Sequence, residues 1–173
     1  MRAPLLALGI ALALPACDSL DTFEVPVEGT AQIPGSPLGS VPIDNLPLEI
    51  PGLNNFSFEK SFKDNGISAD DVESVKLTSL VFGVTEPEGG TIDFLQKIEV
   101  FAEADGVEKR KIAEKSSIPD GATSVSLDVM DVEFKPYAVA KNLAITTIVS
   151  GRPPTHDTAV RARAVFEVNA AVF

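Results

Sequence analysis

Apolar and polar residues alternate along most of the chain after residue 55, which is the pattern of β-strands with one buried face. The clearest run lies at the C-terminal end, where every even position from Val160 to Val172 is apolar. The odd positions of the same run include charged and amide side chains, namely Arg161, Arg163, Glu167 and Asn169. This run therefore predicts a long strand.

Similar runs predict further strands at residues 72–84, 92–102, 107–115, 125–129 and 143–149. Phe56, Phe58 and Phe62 share one parity and favour another strand. Asp105-Gly106 between two such runs predicts a β-hairpin. Other turn signals are Asn65-Gly66, Gly89-Gly90 and Asp120-Gly121. Residues 68–74 and 131–141 are each compatible with a helical turn.

Seven or eight strands at this spacing predict an all-β domain over residues 55–173, an antiparallel β-sandwich of immunoglobulin-like architecture. The 45% hydrophobic content is enough for one core and excludes wholesale disorder. The cysteine and tryptophan hallmarks of true immunoglobulin domains are absent, so the expectation concerns the architecture alone.

Residues 17–54 differ from the rest because they are rich in proline and glycine, with prolines at 26, 34, 37, 42, 47 and 51. Such a composition predicts an extended tether. Two apolar patches interrupt it, one around Val25 and one around Leu48. Free tethers are seldom so apolar, so we expect one or both patches to form edge strands, where a proline is tolerated.

The first residues form a different unit. Arg2 precedes an uninterrupted apolar run at residues 5–14. Its ten residues fall short of the roughly 20 that span a bilayer as a helix. Residues 1–16 are therefore predicted to be a cleaved export signal.

Leu14-Pro15-Ala16-Cys17 resembles the lipobox of bacterial lipoproteins, although proline replaces the usual small residue at position 15. The resemblance implies cleavage before Cys17, three acyl chains on that residue and a lasting membrane anchor. Cys17 is the only cysteine, so it has no intramolecular disulfide partner. An ordinary soluble export signal is the alternative.

The mature chain is acidic, because removal of residues 1–16 takes away Arg2 and changes the formal net charge from −11 to −12. Such a surface repels nucleic-acid phosphate, so no nucleic-acid partner is expected. The run Lys109-Arg110-Lys111 is predicted to be a solvated strand or turn. Asp18 resembles the signal for inner-membrane retention in enteric bacteria, and inner and outer membrane both stay open.

Candidate catalytic groups are few. His156 is the only histidine and lies among loop-forming residues. It cannot form a histidine-based metal cluster alone, and no G-x-S-x-G motif accompanies it. Asp70-Asp71 and the series Asp128, Asp131 and Glu133 do not match a calcium loop. No phosphate loop or dinucleotide fingerprint is present, so no metal or cofactor is expected.

Two hypotheses follow. The first is a lipid-anchored, non-catalytic β-sandwich of the cell envelope that binds another envelope protein or has a structural role. The second is a small exported hydrolase or ligand carrier that uses His156 and nearby acids. The sequence leaves the oligomeric state open.

Overall fold

The computed structural model describes residues 20–36 and 41–171, with only the backbone at Leu20 and Asp21. Within these ranges it contains nine strands: β1 (Leu20–Ile33), β2 (Ile43–Leu48), β3 (Val72–Glu86), β4 (Leu95–Ala104), β5 (Val107–Lys115), β6 (Ser124–Ser126), β7 (Asp128–Val129), β8 (Ala144–Gly151) and β9 (Thr158–Ala171). Two short helices, α1 (Glu59–Asp64) and α2 (Lys135–Val139), complete it.

The strands form two antiparallel sheets. Sheet A has the order β1-β9-β3-β6, and sheet B has the order β2-β8-β4-β5-β7. Alternate side chains of both sheets enter one hydrophobic cluster, to which the helices add Phe62, Tyr137 and Ala138. The predicted antiparallel β-sandwich is confirmed. Seven of the nine described strands lie within residues 55–171, and the other two, β1 and β2, come from the proline-rich segment.

Strand β9 organises sheet A, because it pairs with β1 on one side and with β3 on the other. Its predicted alternation is confirmed, since Val160, Phe166 and Val168 are fully buried and Arg161 and Arg163 are exposed. The run to Val172 continues beyond the described residues. Strand β3 lies between β9 and β6.

The two apolar patches of the proline-rich segment both form edge strands. Strand β1 pairs with β9 over all 14 residues without a register shift, and β2 pairs with β8 at the edge of sheet B. Pro26 and Pro47 are compatible with these positions, because an edge strand has no neighbour on one side. An extended tether therefore does not describe residues 20–33 or 43–48, which cover the edges of β9 and β8.

The predicted hairpin is present. Strands β4 and β5 pair antiparallel around Asp105-Gly106, and Gly106 has a φ of +75°, which glycine adopts without strain. The predicted turns at Gly66, Gly89 and Gly121 also have positive φ.

The single run predicted at residues 125–129 is divided between the two sheets. Strand β6 pairs with β3 in sheet A, whereas β7 pairs with β5 in sheet B. Between them, the buried Leu127 donates its backbone N–H to the carbonyl of Leu80 at 2.9 Å. The alternation continues through this crossing, so the hydrophobic pattern alone predicted one strand.

The strand predicted at Phe56–Phe62 is wrong. Phe58 immediately precedes α1, and the N–H of Phe62 donates to the carbonyl of Phe58 at 2.9 Å. A spacing of four residues keeps two side chains on one face in a helix as well as in a strand, so parity could not separate the two. Of the two segments compatible with a helical turn, residues 68–74 form a turn followed by the start of β3, and residues 131–141 contain α2.

Candidate functional site

The sandwich has two distinct ends. At one end Leu20 of β1 pairs with Ala171 and Val72 of β3 pairs with Ala170. At the other end Ile33 pairs with Thr158. We call these the proximal and distal ends, because Cys17 precedes Leu20 by three residues in the sequence. Cys17 and the predicted signal peptide 1–16 lie outside the described residues.

A groove of about 470 Å³ lies at the distal end, between the β3–β4 and β8–β9 loops. Its lining includes Asp93, Phe94, Arg152, Pro153, Pro154 and His156. These loops meet through the N–H of Arg152, which donates to the carbonyl of Phe94 at 2.8 Å. The structure thus places His156 in a concave site, which we call the distal groove.

The surroundings of His156 are those of a loop residue. Its ring Nδ1 lies 2.9 Å from the hydroxyl of the adjacent Thr155, and its carbonyl accepts a bond from the Thr158 hydroxyl at 2.8 Å. The neighbouring Asp157 accepts the N–H of Gly35 at 2.8 Å. Within the described ranges the His156 ring has no hydrogen bond or ion pair to a carboxylate. The base and acid of a catalytic triad are therefore not connected there.

Asp93 lines the distal groove and accepts two hydrogen bonds, and the sequence had not identified it as a candidate site residue. Its carboxylate accepts the N–H of Gly121 at 2.6 Å and the hydroxyl of Thr91 at 2.8 Å. The bond from Gly121 and then the bond from Thr91 hold the pKa of Asp93 below its usual value. Two local features of the sequence pointed to this contact: the Thr91-x-Asp93 spacing and the Asp120-Gly121 turn. Asp93 fixes the loop before β6.

The acidic candidates are scattered over the surface and support local structure. Asp71 accepts the N–H and the hydroxyl of Ser68, and the hydroxyl and then the backbone bond lower its pKa. Asp128 pairs with Lys115 at 3.2 Å. Glu133 accepts the N–H of Val75 at 3.0 Å. In residues 20–36 and 41–171, no three potential metal ligands of the His, Cys, Asp or Glu types come together.

The basic run 109–111 lies in β5, and its side chains contact nearby acidic and aromatic residues. Lys111 contacts Glu99 at 2.7 Å and Glu114 at 2.6 Å. The Lys111 and Lys97 ammonium groups, in that order, lower the pKa of Glu99. Lys109 lies over the Phe101 ring at 5.3 Å. The run is part of a solvated strand, as predicted, and its charges are largely paired.

A larger groove, of about 730 Å³, lies at the proximal end between α1 and the segment that joins α2 to β8. We call it the proximal groove. Half-buried Phe56 and Ile67 and the 40% exposed Val139 supply much of its apolar lining. Lys63 and Lys141 lie among its exposed polar lining residues, together with Glu59 and Asn142.

An aromatic cluster underlies the proximal groove. Phe134 lies 4.8 Å from Phe166 between ring centroids, and Phe58 lies 5.1 Å from Phe166. The Tyr137 ring stacks on Phe134 at 5.1 Å, and its hydroxyl donates to the carbonyl of Glu108 at 2.7 Å. Burial raises the pKa of Tyr137. The cluster joins both helices to sheet A.

Comparison with known proteins adds little. No protein-family model matches the chain, and no curated protein matches it. Among solved structures, it is similar to a chain of the semi-empty virus-like particle of Macrobrachium rosenbergii nodavirus, from the giant freshwater prawn. The identity is 7%, the coverage is 100% of this chain and 95% of that chain, and the TM-score is 0.34. Similarity at this level supports no functional inference.

Across the described part of the chain, neither helix has the length and apolar character needed to span a bilayer. Both are short, with six residues in α1 and five in α2.

Proposed function

We propose that this chain is a lipid-anchored, non-catalytic protein of the bacterial cell envelope, in which Cys17 carries the lipid and the β-sandwich binds another envelope protein or has a structural role. The observation that carries the proposal is the lipobox-like sequence that ends at Cys17, the only cysteine of the chain. The lipid attaches the protein to a bacterial membrane, inner or outer, after export.

The structure supports the non-catalytic part of the proposal through its polar groups. Asp93 and Asp157 of the distal region bind backbone N–H groups of Gly121 and Gly35. Carboxylates engaged in this way stabilise loops. In residues 20–36 and 41–171, no carboxylate contacts the His156 ring, so this geometry adds no support to the hydrolase or carrier hypothesis, in which His156 acts with nearby acids.

Intact mass spectrometry of the membrane-fraction protein, produced in a bacterial host, tests the anchor. We expect wild type to begin at Cys17 and to carry acyl mass, and Cys17→Ala to lack that mass. Ser19→Ala, a change two residues further on, is the matched control and should retain it. An unmodified wild-type chain cleaved at another position would contradict the proposal.

A pull-down from envelope extracts tests the binding role, with the lipidated protein as bait. The distal groove is the first surface to probe, because Arg152 is exposed within it. A partner that is lost with Arg152→Ala and kept with Glu88→Gln, an exposed residue of the β3–β4 loop, supports a specific interface. Recovery of no specific partner would favour a purely structural role.

A further inference from the structure

The proximal end of the sandwich follows Cys17 almost directly in the chain. Strand β1 begins at Leu20, and three residues reach at most about 10 Å even when fully extended. A polar headgroup region is about 5–7 Å thick on each side of a bilayer. If Cys17 carries the lipid, as proposed above, β1 therefore begins within or just above the headgroups.

The proximal groove lies at this same end. Leu20 pairs with Ala171, whose N–H donates to the carbonyl of Asp71 at 2.9 Å. Asp71 closes the turn with Ser68, which lines the groove. Two strand spacings of about 4.8 Å separate β1 from β3. The edge of the groove at Ser68 is therefore on the order of 10 Å from the first strand.

We propose that the proximal end lies against the bilayer that holds the Cys17 lipid, with Val139 and the rim of the proximal groove in the headgroup layer. The inference deepens the proposed function and rests on it. It assigns an interaction surface, and the partner is a lipid surface.

The side chains of this end suit a bilayer surface. Val139, at the groove rim, is a large apolar residue that is 40% exposed. Lys63 and Lys141 also line the groove, and a lysine can extend its charge to lipid phosphate while its stem contacts apolar groups. Exposed Asp70 and Asp105 at the same end disfavour strongly anionic lipid. The surface therefore fits a zwitterionic bilayer.

This orientation directs the distal groove away from the membrane. Strand β9 spans 14 residues between the two ends, which corresponds to about 45 Å along the strand. The loops around Arg152 and His156 are then presented to partners at up to that height.

The natural absence of tryptophan makes the inference directly testable. Val139→Trp introduces the only tryptophan of the chain at the proximal end, and its fluorescence is excited selectively beyond the absorption of Tyr137. Val41→Trp is the matched control, because Val41 is 73% exposed and lies two residues before Ile43, which pairs with Gly151 at the distal end. Both variants are purified as the lipidated chain and reconstituted into phosphatidylcholine vesicles with or without brominated acyl chains.

We expect bromine to quench the fluorescence of Val139→Trp at least about twofold and to leave Val41→Trp unchanged, because a side chain in the headgroup layer lies close to the brominated acyl chains and one at the distal end does not. Ala69→Trp, at another exposed position of the groove lining, should also be quenched. Circular dichroism confirms that each variant is folded. Equal emission with and without bromine at residues 139 and 69, or quenching at residue 41 alone, would overturn the inference.

Intact mass of the same samples separates this inference from the proposed function. Acyl mass on Cys17 without quenching at residue 139 contradicts the docking surface and leaves the anchor intact. If acyl mass is absent, the anchor proposal fails. The orientation is then measured on the chain coupled through the Cys17 thiol to a maleimide lipid, and quenching at residue 139 there still supports the docking surface.

Discussion

The two ends of the sandwich are closed by different kinds of interaction. At the proximal end, Phe58 and Phe134, which immediately precede α1 and α2, pack on Phe166 of β9. Phe62 of α1 packs on Phe58, and Tyr137 of α2 packs on Phe134. At the distal end, loops are joined by single hydrogen bonds, such as that from the N–H of Ile92 to the carbonyl of Ala122 at 2.7 Å. The proximal end is therefore closed by aromatic packing, whereas the distal end combines such hydrogen bonds with the burial of smaller apolar side chains such as Ile92.

This difference has an energetic consequence. A buried aromatic side chain contributes several kcal/mol, whereas a typical hydrogen bond contributes a net of about 1 kcal/mol. The proximal end is therefore expected to be the stable base, which suits a surface placed against a membrane. The distal loops can change without loss of the fold, which suits a surface that recognises partners.

The largest expected effect is at the proximal end. Phe166→Ala removes a fully buried ring at the centre of the aromatic cluster. We expect a loss of about 3–5 kcal/mol in the free energy of unfolding, measured by urea denaturation. Phe94→Ala, at a half-buried ring of the distal groove, should cost clearly less. Equal losses would remove the distinction between the two ends.

A smaller loss of stability is expected at the close contact between the backbone of β1 and the segment around residue 51. Gly29 of β1 lies against the carbonyl of Pro51, and a Cβ at this position would collide with that carbonyl and with Ile50. Gly29→Ala should destabilise by about 1–3 kcal/mol, because the segment around residue 51 must move. Thr30→Ala, at an adjacent exposed position, is the control for thermal unfolding. A cost no greater than that of Thr30→Ala would show that the segment adapts freely.

The distal end should respond to pH through Asp93. Because its folded-state pKa is lowered, its stabilising contribution is complete above the ordinary aspartate pKa of about 4 and is lost as the pH falls through the folded-state value. Asp93→Asn should therefore cost up to about 1 kcal/mol at pH 7, after allowance for solvent exposure, and less at pH 3.

Urea denaturation at both pH values measures this difference, with Glu88→Gln in the same loop as the control. A cost of Asp93→Asn that is as large at pH 3 as at pH 7 would contradict the role assigned to the carboxylate.

The smallest effect is expected at His156. Its exposed ring contacts the hydroxyl of adjacent Thr155, so His156→Ala should change the unfolding free energy by less than about 0.5 kcal/mol. It should also leave partner binding unchanged if the histidine is only a loop residue. A strong loss of binding or of any hydrolytic activity would revive the carrier or hydrolase hypothesis.

The sequence predicted the long strands correctly because one face of each strand is buried over many residues. In β8 and β9 that face is apolar almost throughout, and Thr147 is its one polar interruption in β8. The hairpin at Asp105-Gly106 was equally predictable from the sequence, because the turn itself requires a positive φ at Gly106. These features depend on the neighbouring residues in the chain.

The residues of the candidate functional site were harder to predict from the sequence than the strands. Cys17 was selected from the local sequence, and its lipidation stays a prediction. Asp93 was not selected, because its partner Gly121 lies 28 residues away. The proximal groove was also missed, since it is formed by two short segments that the alternation did not distinguish.

The sequence by itself determined the all-β class, the main strands and the candidate anchor, because periodicity, turn residues and a lipobox-like motif are local properties. Tertiary structure decided that residues 59–64 form a helix, that the run 125–129 crosses between sheets and that the proline-rich segment joins both of them. In each case an alternation of period two or a spacing of four residues fitted more than one local structure. Long-range packing and strand pairing selected among them.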